Sequence, residues 1–119
     1  IDSQFEIASA ATSTYEIGNP VYPPARQKLA SHGIDCKGKT ARQITRHDYD
    51  YYDYIIAMDQ SNVKNLKKMF GEDTDNKITL LMDYTTRPAD VADPWYTGDF
   101  DATWNDVVEG CKGLITSLI

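Results

Sequence analysis

Tyr54-Ile55-Ile56-Ala57-Met58-Asp59-Gln60-Ser61-Asn62 is the stretch from which the fold is read. Five apolar residues in a row suit a strand covered on both faces, as in a parallel sheet with helices packed on it. The polar residues that follow supply a helix start, with Ser61 expected as the cap. Val63, Leu66, Met69 and Phe70 then recur at helical spacing, and Gly71 stops the helix. Outward from this unit the alternation continues. Residues 78–82 read as a second buried strand and residues 5–10 as a third. Pro23 opens a helix that turns Ala25, Leu29 and Ala30 inward and ends at Gly33. A last helix starts near Asp101. Phe100, Trp104, Val107, Val108, Cys111, Leu114, Ile115 and Leu118 form its apolar face, with Trp104 in the core. Tyr49, Tyr51, Tyr52 and Tyr54 alternate with Asp48, Asp50 and Asp53, which reads as an edge leading into a strand. The expected class is α/β, with a short parallel sheet and helices on it.

Composition bounds the function. With 119 residues, 41% hydrophobic and 25% charged, the chain is expected to form a single soluble domain over residues 1–119. A net charge of -6, dispersed along the sequence, argues against nucleic acid or an anionic membrane as partner. No apolar run approaches the roughly twenty residues of a spanning helix. Cys36 and Cys111 make neither a disulfide framework nor a metal site, and read as reduced thiols in the cytoplasm.

Residues 83–99 are rich in Thr, Pro and Asp and read as a functional loop. Within them Asp93-Pro94-Trp95-Tyr96 sets a carboxylic acid beside a rigid turn and two large rings. That combination suits hydrolysis of an aromatic phosphate ester. A leaving phenolate, whose conjugate acid has a pKa of about 10, must be protonated as it departs. Asp93 is the candidate acid, and Trp95 and Tyr96 can wall a slot for the substrate's ring.

Three further segments stand upstream: Ser9-Ala10-Ala11-Thr12-Ser13-Thr14-Tyr15-Glu16-Ile17-Gly18, Ala41-Arg42-Gln43-Ile44-Thr45 and the residues 54–62 already quoted. In this order and spacing the sequence resembles the low molecular weight protein tyrosine phosphatases, from about Phe5 to the last residue. The resemblance implies a flavodoxin-like three-layer fold and hydrolysis of phosphotyrosine through a cysteinyl-phosphate intermediate. It implies Asp93 as general acid, with Tyr15, Glu16, Trp95 and Tyr96 against the substrate. Ser9 would support the phosphate loop. No metal or other cofactor is implied, and phosphate or another oxyanion is expected in the site. Ala8 stands where relatives often carry Asp, and Lys39 where many have His.

The family's first strand, nucleophile loop and first helix are not legible in the 119 residues. The sequence therefore reads as the C-terminal major part of a phosphatase domain, expected to be inactive alone and prone to self-association. Cys36 and Arg42 are separated by five residues, as in a phosphate loop. Such a loop needs a buried strand before the Cys and a helix N-terminus after it. Here a helix ends just before Cys36, and Gln43 follows Arg42, so Cys36 is not expected to be the nucleophile. Three rival readings stand beside this one: a non-catalytic binding remnant, an arginine phosphatase and an arsenate reductase of the same fold. The last needs further cysteines after Met58, which the residues there do not supply. Trp95-Tyr96 favours phosphotyrosine over phosphoarginine.

Overall fold

The structure is a computed structural model that describes residues 5–92 and 98–118. The chain divides into two compact units, Ile1–Thr45 and Arg46–Ile119.

In the first unit helix α1 spans Pro23–Ser31, with proline in its first turn and Gly33 at φ 75° just beyond its end. Proline is suited to that first turn because the N–H it lacks would have no intrahelical partner there. Ala25 and Leu29 are half-buried, whereas Ala30, expected inward, is exposed. Residues 5–10 form no strand, contrary to the sequence reading. A strand exists through its ladder partners, and among the described residues pairing begins only at Ala11. There the Ala11 amide donates to the Arg42 carbonyl at 2.8 Å, and the Ile44 amide donates back to Ala11 at 2.8 Å. Single bridges join Ile17 to Ala41 and Pro20 to Thr40.

The second unit holds the core. Strand β1, Ile55–Ala57, pairs in parallel with β2, Ile78–Leu80, with Ile55 opposite Ile78. Helix α3, Gln60–Phe70, connects them and buries Leu66. Preceding the sheet is helix α2, Arg46–Tyr51, where the alternating Tyr and Asp residues had suggested an edge leading into a strand. The helix wins because a 3.6-residue period lets Arg46 reach Asp50 at 3.3 Å while Tyr49 turns inward to 2% exposure.

The second buried run also ends early. After Leu80 the chain tightens into a 3-10 helix, Leu81–Tyr84, held by the Asp83 carboxylate on the Leu80 amide at 3.0 Å. Leu81 and Met82 stay buried there and pack with Val91, Ile56, Val107 and Leu114. An apolar run alone does not separate a strand from a buried helical turn.

Helix α4, Phe100–Leu118, covers this 3-10 turn. Its buried positions are Asp106 and Gly110. Trp104, assigned to the core from sequence, is only half-buried, and Cys111 and Ile115 are exposed. Val107 and Leu114 of the expected face do pack on the core, but the most buried positions are Asp106 and Gly110, and α4 meets the 3-10 turn through glycines. A Cβ on Gly110 would strike the Leu81 side chain, and one on Gly113 would strike the Tyr84 carbonyl.

Candidate active site

The loop that carries the candidate acid leaves the core through three anchored residues. The Asp90 carboxylate accepts from the Gln60 amide at 3.0 Å, in the first turn of α3. Val91 is buried, and its amide donates to the Met58 carbonyl at 2.9 Å, just past the end of β1. Ala92 is held on both sides of its backbone. Its amide donates to Asp106 Oδ2 at 3.0 Å, and its carbonyl accepts from the Thr103 hydroxyl at 2.6 Å. Asp93, Trp95 and Tyr96 lie outside the described residues. Description resumes at Gly98, at φ 70°, and at Asp99, whose carboxylate accepts from the Ala102 amide at 3.0 Å as an N-terminal cap for α4.

Asp106 is a buried carboxylate, 8% exposed, and a buried charge requires partners. Arg87 supplies one at 2.6 Å, and Arg87 also pairs with Glu109 at 3.1 Å. The guanidinium bond holds the Asp106 carboxyl below the usual carboxylate range. Burial opposes this, and the Ala92 amide adds to the lowering. The Arg87 pKa moves up in turn, chiefly through its bond to Asp106. Asp106 therefore stays ionised as an acceptor for the Ala92 backbone amide.

The start of α3 is occupied by its own side chains. Asp59, rather than the expected Ser61, is the cap: its carboxylate accepts from the Asn62 amide at 2.8 Å, and Asn62 Oδ1 accepts from the Met58 amide at 3.2 Å. With Asp90 on Gln60, these carboxylates take up donors that a phosphate would otherwise seek at a helix N-terminus. Asp59 and Asn62 thus shape the strand-to-helix turn.

Tyr15 and Glu16 share one turn in the first unit. Tyr15 is 89% exposed, so its ring is open to a ligand. Glu16 closes the turn: its carbonyl accepts from the Asn19 amide at 2.9 Å and its carboxylate from the Asn19 side chain at 2.6 Å. Gly18, at φ 84°, occupies a conformation that side chains disfavour. Ser9 is exposed in the segment before it.

Cys36 sits between α1 and the paired residues 40–44. Its carbonyl accepts from the Lys39 amide at 3.1 Å in a turn with Gly38 at φ 84°. No strand delivers it and no helix follows it before Arg46, so the phosphate-loop geometry is absent around this thiol. Cys111 is exposed, yet partial burial of its thiol pushes its pKa up, the opposite of an activated nucleophile. Among the described residues no group of three or more His, Cys, Asp or Glu could hold a metal ion. None of their helices is long and apolar enough to cross a membrane.

A family profile described as low molecular weight phosphotyrosine protein phosphatase matches residues 1–119. The chain belongs to this family. The low molecular weight protein-tyrosine-phosphatase YfkJ of Bacillus subtilis is 36% identical over 120 residues, covering 99% of this chain and 77% of that protein. Its crystal structure superposes with a TM-score of 0.84 at 38% identity, over 93% of this chain and 71% of that one. SP-PTP, the low molecular weight protein tyrosine phosphatase of Streptococcus pyogenes, gives 0.82 at 41% identity, over 93% and 71%. DARP, a Drosophila arginine phosphatase, gives 0.83 at 25% identity, over 98% and 81%.

The sequence offers Asp93-Pro94-Trp95-Tyr96 as a candidate acid segment, but not the contacts that hold Ala92 before it. Arg87 and Asp106 stand nineteen residues apart and share no motif. One signal was available: Asp106 falls next to Val107 on α4, where a charge must be paired to be buried.

Proposed function

We propose that this chain acts as a protein tyrosine phosphatase of the low molecular weight family. The observation that carries the reading is Asp93-Pro94-Trp95-Tyr96, set between the anchored Ala92 and the α4 cap Asp99 in a chain of this family. Asp93 donates a proton to the tyrosine oxygen as the P–O bond breaks. The phosphoryl group passes to the family's cysteine thiolate, where an arginine and backbone amides hold the equatorial oxygens. Asp93, now a carboxylate, takes a proton from the water that attacks the phosphocysteine. Thiolate and phosphate are released, and the acid is restored.

Trp95, Tyr96 and the open ring of Tyr15 provide apolar surface for a phenyl group. Glu16 holds the turn that presents Tyr15 and contacts the substrate's surroundings, and Ser9 supports the phosphate loop. Substrates are phosphotyrosine proteins or small aryl phosphates in the cytoplasm. Phosphate or another oxyanion as ligand, and self-association of the 119-residue segment, belong to the same proposal. The test is a substrate comparison in the full-length protein. Phosphotyrosine peptides are expected to turn over faster than phosphoarginine peptides of the same sequence. The reverse preference favours the arginine phosphatase reading, and turnover of neither favours a binding remnant.

A further inference from the structure

We infer that Asp106 and Thr103 are positioning residues for the general acid, an inference that rests on the phosphatase reading above. The residue immediately before Asp93 has both of its backbone polar groups taken by side chains of α4. Ala92 gives its amide to Asp106 Oδ2 at 3.0 Å and receives the Thr103 hydroxyl on its carbonyl at 2.6 Å. The two bonds act on the N–H and C=O sides of Ala92, which belong to successive peptide units, and so restrain its backbone from both ends. Helix α4 therefore holds the backbone of the residue that precedes Asp93 in the sequence.

The clamp itself is braced. Asp106 is oriented by Arg87 on its other oxygen at 2.6 Å, and Arg87 is steadied in turn by Glu109 at 3.1 Å. Thr103 also lies within 3.4 Å of the Asp99 carbonyl, on the far side of the acid segment. One hydroxyl thus touches both flanks of residues 93–97. The usual i−4 back-bond of a helical threonine explains the bond to Asp99, but it does not explain a bond to Ala92, eleven residues earlier. Nor does core packing require a buried carboxylate at position 106, where an apolar residue would avoid the desolvation cost. Proton transfer does require such an arrangement, because the acid must stand within hydrogen-bond reach of the leaving oxygen. Displacement by about 1 Å costs up to roughly 100-fold in rate.

The test uses the full-length protein and a series of aryl phosphates whose phenols span a wide pKa range. Thr103→Val keeps the shape and removes the hydroxyl, Thr103→Ser restores a hydroxyl, and Asp106→Asn weakens the Arg87 pairing. Thr103→Val and Asp106→Asn are expected to lower kcat roughly 10- to 100-fold for the most basic phenol. For the most acidic one the loss is expected to be small, with KM little changed throughout. Thr103→Ser is expected to recover most of the loss. In an Asp93→Asn background the same substitutions are expected to add nothing, since they act through the acid. Equal losses across the phenols, or an undiminished effect in the Asp93→Asn background, would overturn the inference and leave Asp93 in its role. An Asp93→Asn protein of undiminished activity overturns both together.

Discussion

The Tyr49 hydroxyl donates to Asp73 Oδ1 at 2.5 Å, tying helix α2 to the turn that leads into β2. The same carboxylate accepts from the Lys77 and Ile78 amides, each at 2.9 Å. Lys77 completes the knot by donating to the Tyr49 carbonyl at 2.6 Å. Burial alone would push the Asp73 pKa up. The Tyr49 hydroxyl and the two amides outweigh it and hold the carboxyl below its ordinary value. Tyr49 moves up, first through its bond to Asp73 and then through burial.

Both shifts have consequences for stability against pH. A depressed carboxyl stabilises the fold above its unfolded value of about 3.9, and that contribution is lost as pH falls through the lower native value. A raised tyrosine stabilises below about 10, and its contribution is lost as pH rises through the higher native value. Asp73→Asn is therefore expected to lower the thermal midpoint at pH 7 and to flatten its decline on the acid side. Tyr49→Phe is expected to lower it by several degrees at neutral pH and to abolish the tyrosine-linked decline at alkaline pH. Thermal melts between pH 3 and pH 11 decide this, and variants that keep the parent profile would show that the knot is unimportant.

Gly113 gives a second expectation. Alanine is ordinarily better than glycine inside a helix by about 1 kcal/mol. Here the added carbon meets the Tyr84 backbone carbonyl, which has no rotamer with which to retreat. Overpacking of this kind costs about 1–3 kcal/mol or more, so Gly113→Ala is expected to destabilise despite its better propensity. Gly110→Ala meets only the Leu81 side chain and is expected to cost less. Denaturant titration of the two variants ranks them, and a stabilised Gly113→Ala contradicts the close approach of α4 to the 3-10 turn.

Cys36 supplies a third. With a glycine turn after it, no strand before it and no helix directly following, its thiol lacks the setting of a phosphate-loop nucleophile. Cys36→Ser in the full-length protein is expected to leave kcat and KM for aryl phosphates unchanged. Turnover abolished by Cys36→Ser would restore Cys36 as nucleophile.

The most legible part of the sequence was residues 54–71, where an apolar run, a capping residue, a helical stripe and Gly71 all agree. Even there, Asp59 took the cap expected of Ser61, since both residue types accept from a first-turn amide. Local pattern was least informative where a tertiary partner chose between periods. Alternating Tyr and Asp over 48–54 suit a strand edge, and Asp73 and Phe70 instead reward the helical placement of Tyr49. Residues 5–10 have strand composition but no described partner for a ladder. The candidate tetrapeptide Asp93-Pro94-Trp95-Tyr96, which lies outside the described residues, was noticeable because its residues are consecutive. Its anchors were not, because Arg87, Thr103 and Asp106 meet Ala92 only through the fold.

The most direct measurement is the leaving-group dependence of Asp93→Asn in the full-length protein. General acid catalysis contributes roughly 10²–10⁴-fold when the leaving oxygen is basic and little when it is acidic. Asp93→Asn is therefore expected to slow hydrolysis by that factor for unactivated phenyl phosphates, with the deficit shrinking steadily as the phenol becomes more acidic. A deficit of the same size for every phenol, or none at all, would contradict Asp93 as the proton donor.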